Sequence, residues 1–147
     1  MFSKTCEYAI RATIYIAAES DVKHKIGITD ISTHIEAPAH FTAKILQTLG
    51  HCKLVSSQKG VNGGFYMDEQ QKRNKLIEIV TAIDSDLLLK GCGLGLSHCS
   101  DREPCPLHDQ YKEIRIRLKE ILETSSLEDM AKKLVKGKGF IRELMAN

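Results

Sequence analysis

The chain has 147 residues and a mass of 16.4 kDa, enough for one domain with an appendage and short for two full domains. Hydrophobic residues make up 42% and charged residues 27%, which excludes a disordered composition. With no tryptophan and 5% aromatic residues, the core falls to Ile, Leu, Val and Ala, and a net charge of +2 argues for no particular partner.

No apolar run approaches the roughly 18 residues of a membrane span, and MFSKTCEYAI does not open like a secretory leader. A cytoplasmic protein with no membrane partner is therefore expected. Structural disulfides are rare in that compartment. The 5 cysteines then read as small buried hydrophobes, metal ligands or reactive thiols, and their spacing has to decide.

Residues 5–19 place Tyr8, Ala9, Ala12, Ile16 and Ala17 at helical spacing, with Ser3 or Thr5 as candidate caps. A polar stretch follows at 21–28. Thr29 offers the N-cap of a short second helix, and Pro38 separates it from a third over 39–49. In that third helix Phe41, Ile45, Leu46 and Leu49 are expected to form the apolar stripe, with Gly50 ending the period. Two short helices joined by a tight turn after a longer one form a helix-turn-helix pattern. Two β-prone runs, 54–57 and 65–67, then flank QKGVNGG, a hairpin signal placed where a wing would be.

A polar link leads to a helical segment at 75–83. Residues 84–108 carry glycines, cysteines and prolines without a period. A loop of that length in a compact protein is functional or disordered. The segment 107–122 is a long amphipathic helix with Tyr111, Ile114, Leu118, Ile121 and Leu122 on its apolar side, and 127–134 starts another. A basic KGKG and a final FIRELM follow. Three lysines and no acidic residue lie between Ala37 and Tyr66, and residues 132–147 carry five Lys/Arg against one Glu. Solvated surface charge would explain either one alone.

Cys92, Cys99 and Cys105 fall within a 14-residue stretch rich in Gly and Pro, and His108 follows three positions later. These cysteines share no helix or strand phase, unlike core cysteines. Thiolates on a glycine-rich loop suit a soft metal centre, because the backbone can curl around it. Three Cys and one His would satisfy tetrahedral zinc or supply an iron–sulfur site. The spacing CX6CX5CX2H lacks the paired CX2C knuckles of most zinc sites, and a thiol redox switch is the other reading. Cys6 and Cys52 have no ligand partner nearby and are expected to pack.

The sequence resembles the IscR/NsrR-type winged-helix iron–sulfur transcription regulators over residues 1–122. The resemblance rests on the opening KTCEYAIR, the helix-turn-helix, the wing SQKGVNGGF from Ser57 to Phe65, the LIEIVTAI helix, the three-cysteine loop and the long helix after it. It implies a mainly α fold with a small β-hairpin wing: a winged helix-turn-helix over residues 1–83, a cluster-binding loop over 84–108, a dimerisation helix over 107–124 and a partly helical extension over 125–147. It further implies a homodimer, and a regulator, expected to be a repressor, of near-palindromic double-stranded DNA. Cys92, Cys99 and Cys105 match the family's cluster ligands, with His108 as fourth ligand and Glu7 or His34 as alternatives. A [2Fe–2S] cluster is preferred to [4Fe–4S], with zinc as the alternative cofactor. The candidate DNA contacts are Thr29, His40, Thr42, Ala43, Lys44 and Gln47, plus Lys59 and Asn62 in the wing. Tyr111, Ile114, Leu118, Ile121 and Leu122 are the candidate dimer contacts. The signal would be iron–sulfur status, nitric oxide or redox state. A zinc-stabilised regulator without sensing, and a cluster-dependent interaction module that does not bind DNA, are the rival readings. With no phosphate loop and no Ser/His/Asp set, the chain does not read as an enzyme.

Overall fold

Small side chains at helical spacing dictate the centre of the molecule. In the computed structural model, which describes residues 1–137 and 139–141, helix α1 (Lys4–Glu19) buries Cys6, Ala9, Ala12, Thr13, Ile16 and Ala17 on one face. Alanines there let three helices approach: α3 (Ala39–His51), α5 (Leu76–Asp84) and α8 (Leu127–Val135) all pack on α1. Of the two candidate caps Ser3 serves, its hydroxyl accepting the Cys6 N–H at 3.0 Å. Its own N–H donates to Asp84 at 2.9 Å, pinning the start of α1 to the end of α5.

Helix α2 (Ile28–His34) starts one residue before the expected Thr29 cap, with Gly27 at the cap position. Thr29 sits in the first turn, where its carbonyl accepts the Ser32 and Thr33 hydroxyls. The turn into α3 passes through Glu36 at φ +55° and is held by Arg11, which donates to the Ile35 carbonyl at 3.1 Å. The buried face of α3 is Thr42, Ile45, Leu46 and Leu49, an i, i+3, i+4, i+7 set. Phe41, expected in that stripe, is instead 47% exposed and lies against the His40 ring. Thr42 takes the core position because its hydroxyl is satisfied by the Pro38 carbonyl at 3.0 Å.

Strands β1 (Ser56–Gln58) and β2 (Gly64–Tyr66) pair antiparallel, with Ser57 opposite Phe65. A third rung pairs Phe65 with Ile26 through two backbone hydrogen bonds of 2.8 and 2.9 Å. Gly64 permits that approach, since a Cβ at its φ of +143° would lie 2.6 Å from the Ile26 carbonyl oxygen. Leu54, Val55 and Met67, expected in strands, instead root the wing in the core.

The polar link holds a short helix, α4 (Glu69–Lys72), opened by an Asp68–Gln71 capping box. The irregular stretch holds another, α6 (Leu87–Lys90), followed by the long α7 (His108–Thr124). The extension joins the core: Leu127 is fully buried, and the chain enters α8 through a bridge between Lys75 and Ser126. Position 138 of the basic stretch and positions 142–145 of FIRELM lie outside the described residues. Among the described residues no helix is long and apolar enough to cross a membrane.

Candidate cysteine centre and nucleic-acid interface

The first turn and outer face of α3 and the wing form one surface. His40, Phe41, Ala43, Lys44 and Gln47 are exposed on α3, and Lys59 and Asn62 on the wing loop, where Gly60 and Asn62 adopt φ of +95° and +64°. A cleft between helix and wing is lined by Ala43, Gln47, His51, Lys53, Ser57 and Lys59. Thr29 is exposed in the first turn of α2. Thr42 does not belong to this surface: it is fully buried, and its side chain points into the core. Two residues the sequence reading passed over, His51 and Lys53, line the cleft. Lys53 was visible in the local charge count but carried no positional signal.

The three loop cysteines and His108 fall into two pairs. Cys92 Sγ lies 3.9 Å from Cys105 Sγ, and Cys99 Sγ lies 3.6 Å from His108 Nδ1. His108 is buried at the start of α7, and its N–H donates to the Cys105 carbonyl at 2.9 Å, so the CX2H spacing forms a tight turn. The N–H groups of Leu94 and Leu96 are directed at Cys92 and hold its thiol below the usual pKa. Among the described residues, no three His, Cys, Asp or Glu side chains converge on a point suited to a single ion.

Groups from α7 and the loop orient both members of the second pair. Arg115 donates to Cys99 Sγ at 3.1 Å and to the carbonyls of Lys90 and Gly91 at 2.9 and 2.7 Å, while its guanidinium lies over the Tyr111 ring. Asp101 Oδ1 contacts His108 Nε2 at 2.9 Å and accepts from Lys112 at 2.7 Å, which turns the other ring nitrogen toward Cys99. Lys112, then His108, hold the Asp101 carboxyl below its ordinary range. Arg115 and Asp101 escaped the sequence reading because no spacing rule links positions 16 and 7 residues from their partners.

Within one chain, the alternative fourth ligands Glu7 and His34 lie on α1 and α2. Glu7 pairs with Lys4 at 3.3 Å on α1. His34 stacks on Tyr15 and contacts Asp30 at 2.8 Å. Cys6 is fully buried as expected; burial, with Asp84 and Glu7 adding to it, pushes its thiol up to about 12. Cys52 does not pack: it is exposed at the C-cap of α3, because the chain must turn outward there to reach the wing. His98 is exposed beside Cys99.

On α7, Ile114 and Ile121 are 52% and 43% exposed, and Ile116, absent from the sequence reading, is 61% exposed. Tyr111 is half-buried under Gly93 and Arg115, and Leu118 leans partly on the core. Leu122 is 2% exposed and packs inside its own chain, so it offers a second copy no surface.

Two ligands on one tetrahedral ion, at bond lengths of about 2.3 Å for sulfur and 2.0–2.1 Å for nitrogen, stand roughly 3.8 Å apart for S/S and 3.5 Å for S/N. Both observed pairs match those separations, so each pair is spaced as two protein ligands of one metal ion would be.

Comparison with known proteins agrees in both sequence and fold. The Rrf2 family, described as iron-dependent transcriptional regulators, matches residues 2–133. The chain is 25% identical to the transcriptional regulator IscR of Xenorhabdus nematophila, covering 85% of this chain and 75% of that protein. It is 24% identical to the regulator NsrR of Oceanobacillus iheyensis, covering 88% of each. Its fold is similar to CymR, the global cysteine regulator of B. subtilis, with a TM-score of 0.72 at 18% identity over 90% of this chain and 96% of that one.

Proposed function

Because the chain belongs to the Rrf2 family of transcriptional regulators, we propose that it is a homodimeric cytoplasmic repressor. Its grip on near-palindromic DNA would follow the state of an iron–sulfur cluster held by Cys92, Cys99, Cys105 and His108. The observation that carries this reading is the pairing of the four ligand atoms, Cys92 with Cys105 and Cys99 with His108. It favours [2Fe–2S], one pair per iron, over a single zinc ion or a [4Fe–4S] cluster. Such a cluster, when bound, supplies one-electron chemistry and reactivity toward oxidants and nitric oxide.

The rest of the mechanism lies in the chain's own side chains. His40, Phe41, Ala43, Lys44 and Gln47 enter the major groove from α3, and Phe41 offers an apolar edge suited to a thymine methyl group. Lys59, Asn62 and Lys53 hold phosphates, and Thr29 touches the backbone at the edge; these contacts position without reading sequence. Ile114, Ile116 and Ile121 of α7 meet a second copy, with Tyr111 and Leu118 at the margin.

Arg115 joins sensing to dimer geometry. It stands on α7 and grips Cys99 together with the carbonyls that end α6. A change at Cys99 therefore changes what holds α7 against the loop, and shifts the population between DNA-competent and incompetent dimers.

Anaerobic isolation with iron, sulfide and zinc analysis tests the centre: two irons and two sulfides per chain are expected, and stoichiometric zinc without iron or sulfide overturns the cluster. Band-shift assays on the promoter upstream of its own gene test the rest. Equal affinity of loaded and cluster-free protein would break the coupling, and no sequence-selective retardation in either state would favour an interaction module. Lys59→Ala should weaken binding to all sequences and lower the salt slope of log K by about 1.

A further inference from the structure

The three loop thiols are not equivalent, and the difference bears on the chain without its metal centre. Cys99 is held on one flank by Arg115 at 3.1 Å and faced by His108 on the other. Cys92 and Cys105 face each other at 3.9 Å, Cys92 taking N–H contacts only from its own turn (Leu94 at 3.4 Å), and both are partly accessible to solvent. We propose that in the cluster-free chain Cys92 and Cys105 are a dithiol modification site. A peroxide joins them as an intramolecular disulfide, Cys99 stays a free thiol, and the bond bars metal from the site until it is reduced.

A disulfide needs the sulfurs at about 2.05 Å, so the pair must close by roughly 1.9 Å. The two sides of the gap differ in how easily they move. Cys105 stands between Pro104 and Pro106, and its carbonyl is tied to the first turn of α7. Cys92 is followed by a turn through Gly93, Leu94 and Gly95, the last at φ +74°, and no residue from 91 to 107 is buried. Gly93 lies flat on the Tyr111 ring, where a Cβ would come within 2.7 Å, and this keeps Cys92 beside the start of α7 while its side chain turns. The glycine side therefore moves and the proline side receives it. Of the remaining cysteines Cys6 is fully buried, and Cys52 lies between His51 and Lys53 of the cleft that α3 forms with the wing.

The chemistry balances with hydrogen peroxide as the named oxidant. The first thiol attacks the peroxide: an S–O bond forms, the O–O bond breaks and one water leaves. The second thiol then attacks that sulfur: the S–S bond forms, the S–O bond breaks and a second water leaves, carrying the last proton. Two thiols lose two electrons in all, and one peroxide takes them up.

Bond formation is independent of the cluster reading; only the bar on loading rests on it. The test treats cluster-free full-length protein with one equivalent of hydrogen peroxide, alkylates the remaining thiols and digests with chymotrypsin, which cuts after Leu94 and Leu96 and so separates Cys92 from Cys99. A Cys92–Cys105 linked peptide as the main product, with Cys99 alkylated, is expected. Cys99→Ser should keep the link, and Cys92→Ser and Cys105→Ser should each abolish it. A link through Cys99, a chain-to-chain bond as main product, or loss of thiols without a link overturns the proposal.

Oxidised and reduced protein are then offered ferrous iron and sulfide. Uptake by the reduced chain alone, restored to the oxidised chain by a dithiol, is expected. Equal uptake by both overturns the bar. No uptake by either counts against the cluster, and with it the bar, while the peptide map still decides the bond.

Discussion

The winged region and the cysteine loop are built on opposite principles. In the first, α1, α3, α5 and α8 share one apolar cluster, and Ile16, Ile31, Leu49, Ile79 and Leu127 have no accessible surface. In the second, no residue from 91 to 107 is buried, and the segment is shaped by Arg115, by Asp101 with its two partners, and by sulfur contacts. Burial of apolar surface is non-directional and shared among many side chains, so the winged region holds its shape alone. A polar shell over exposed backbone has no such reserve. Under the proposed function, that leaves the loop free to respond to what its sulfurs bind while the DNA-reading surface keeps its shape.

That contrast can be broken by substitution. The largest effect is expected from Ile16→Ala, which removes a fully buried side chain where three helices meet and should cost about 2–5 kcal/mol of global stability by denaturant melt. Ser3→Ala removes the hydroxyl that caps α1 and donates to Asp84, while the backbone N–H bond to Asp84 stays; about 1 kcal/mol is expected from the same melt. Cys99→Ala and Arg115→Gln should each change global stability of the cluster-free chain by less than about 0.5 kcal/mol, as surface changes do. Both should speed hydrogen exchange across residues 91–107, and Cys99→Ala should also abolish iron retention. A loop substitution as costly as Ile16→Ala would erase the distinction. The smallest effect concerns reactivity: in native protein Cys6 should resist alkylation at pH 8 while Cys52 reacts, since burial keeps the Cys6 thiol protonated far above that pH.

The helix-turn-helix, the wing and α7 were legible because period and turn residues are local signals, and the grouping of three loop cysteines with His108 was legible because thiols without a phase are conspicuous. What escaped depends on three dimensions. Phe41 and Thr42 exchanged roles because hydrophobicity alone placed the phenyl ring inside, whereas helix phase and a local hydroxyl bond put the threonine there. Leu122 looked like dimer surface because an amphipathic stripe does not say which neighbour it meets; here one end of α7 meets its own core. Arg115 and Asp101 looked like ordinary surface charge until folding brought them to Cys99 and His108. Helix α8 was readable as a helix, but its seat on α1 was not.

That seat governs how α7 can respond. Its first two turns are fastened through His108 and Arg115 to the loop and to the end of α6, and its last turn is sunk in the core and followed at once by the Lys75–Ser126 bridge into α8. A rod clamped at its far end and gripped by a releasable latch at its near end pivots about the clamp. Loosening the latch therefore swings the near end most, so spin labels near position 110 should report large displacements and labels near position 122 almost none. In the proposed dimer the swing would change the angle between two copies, and the reading heads would be re-spaced without either one being unfolded.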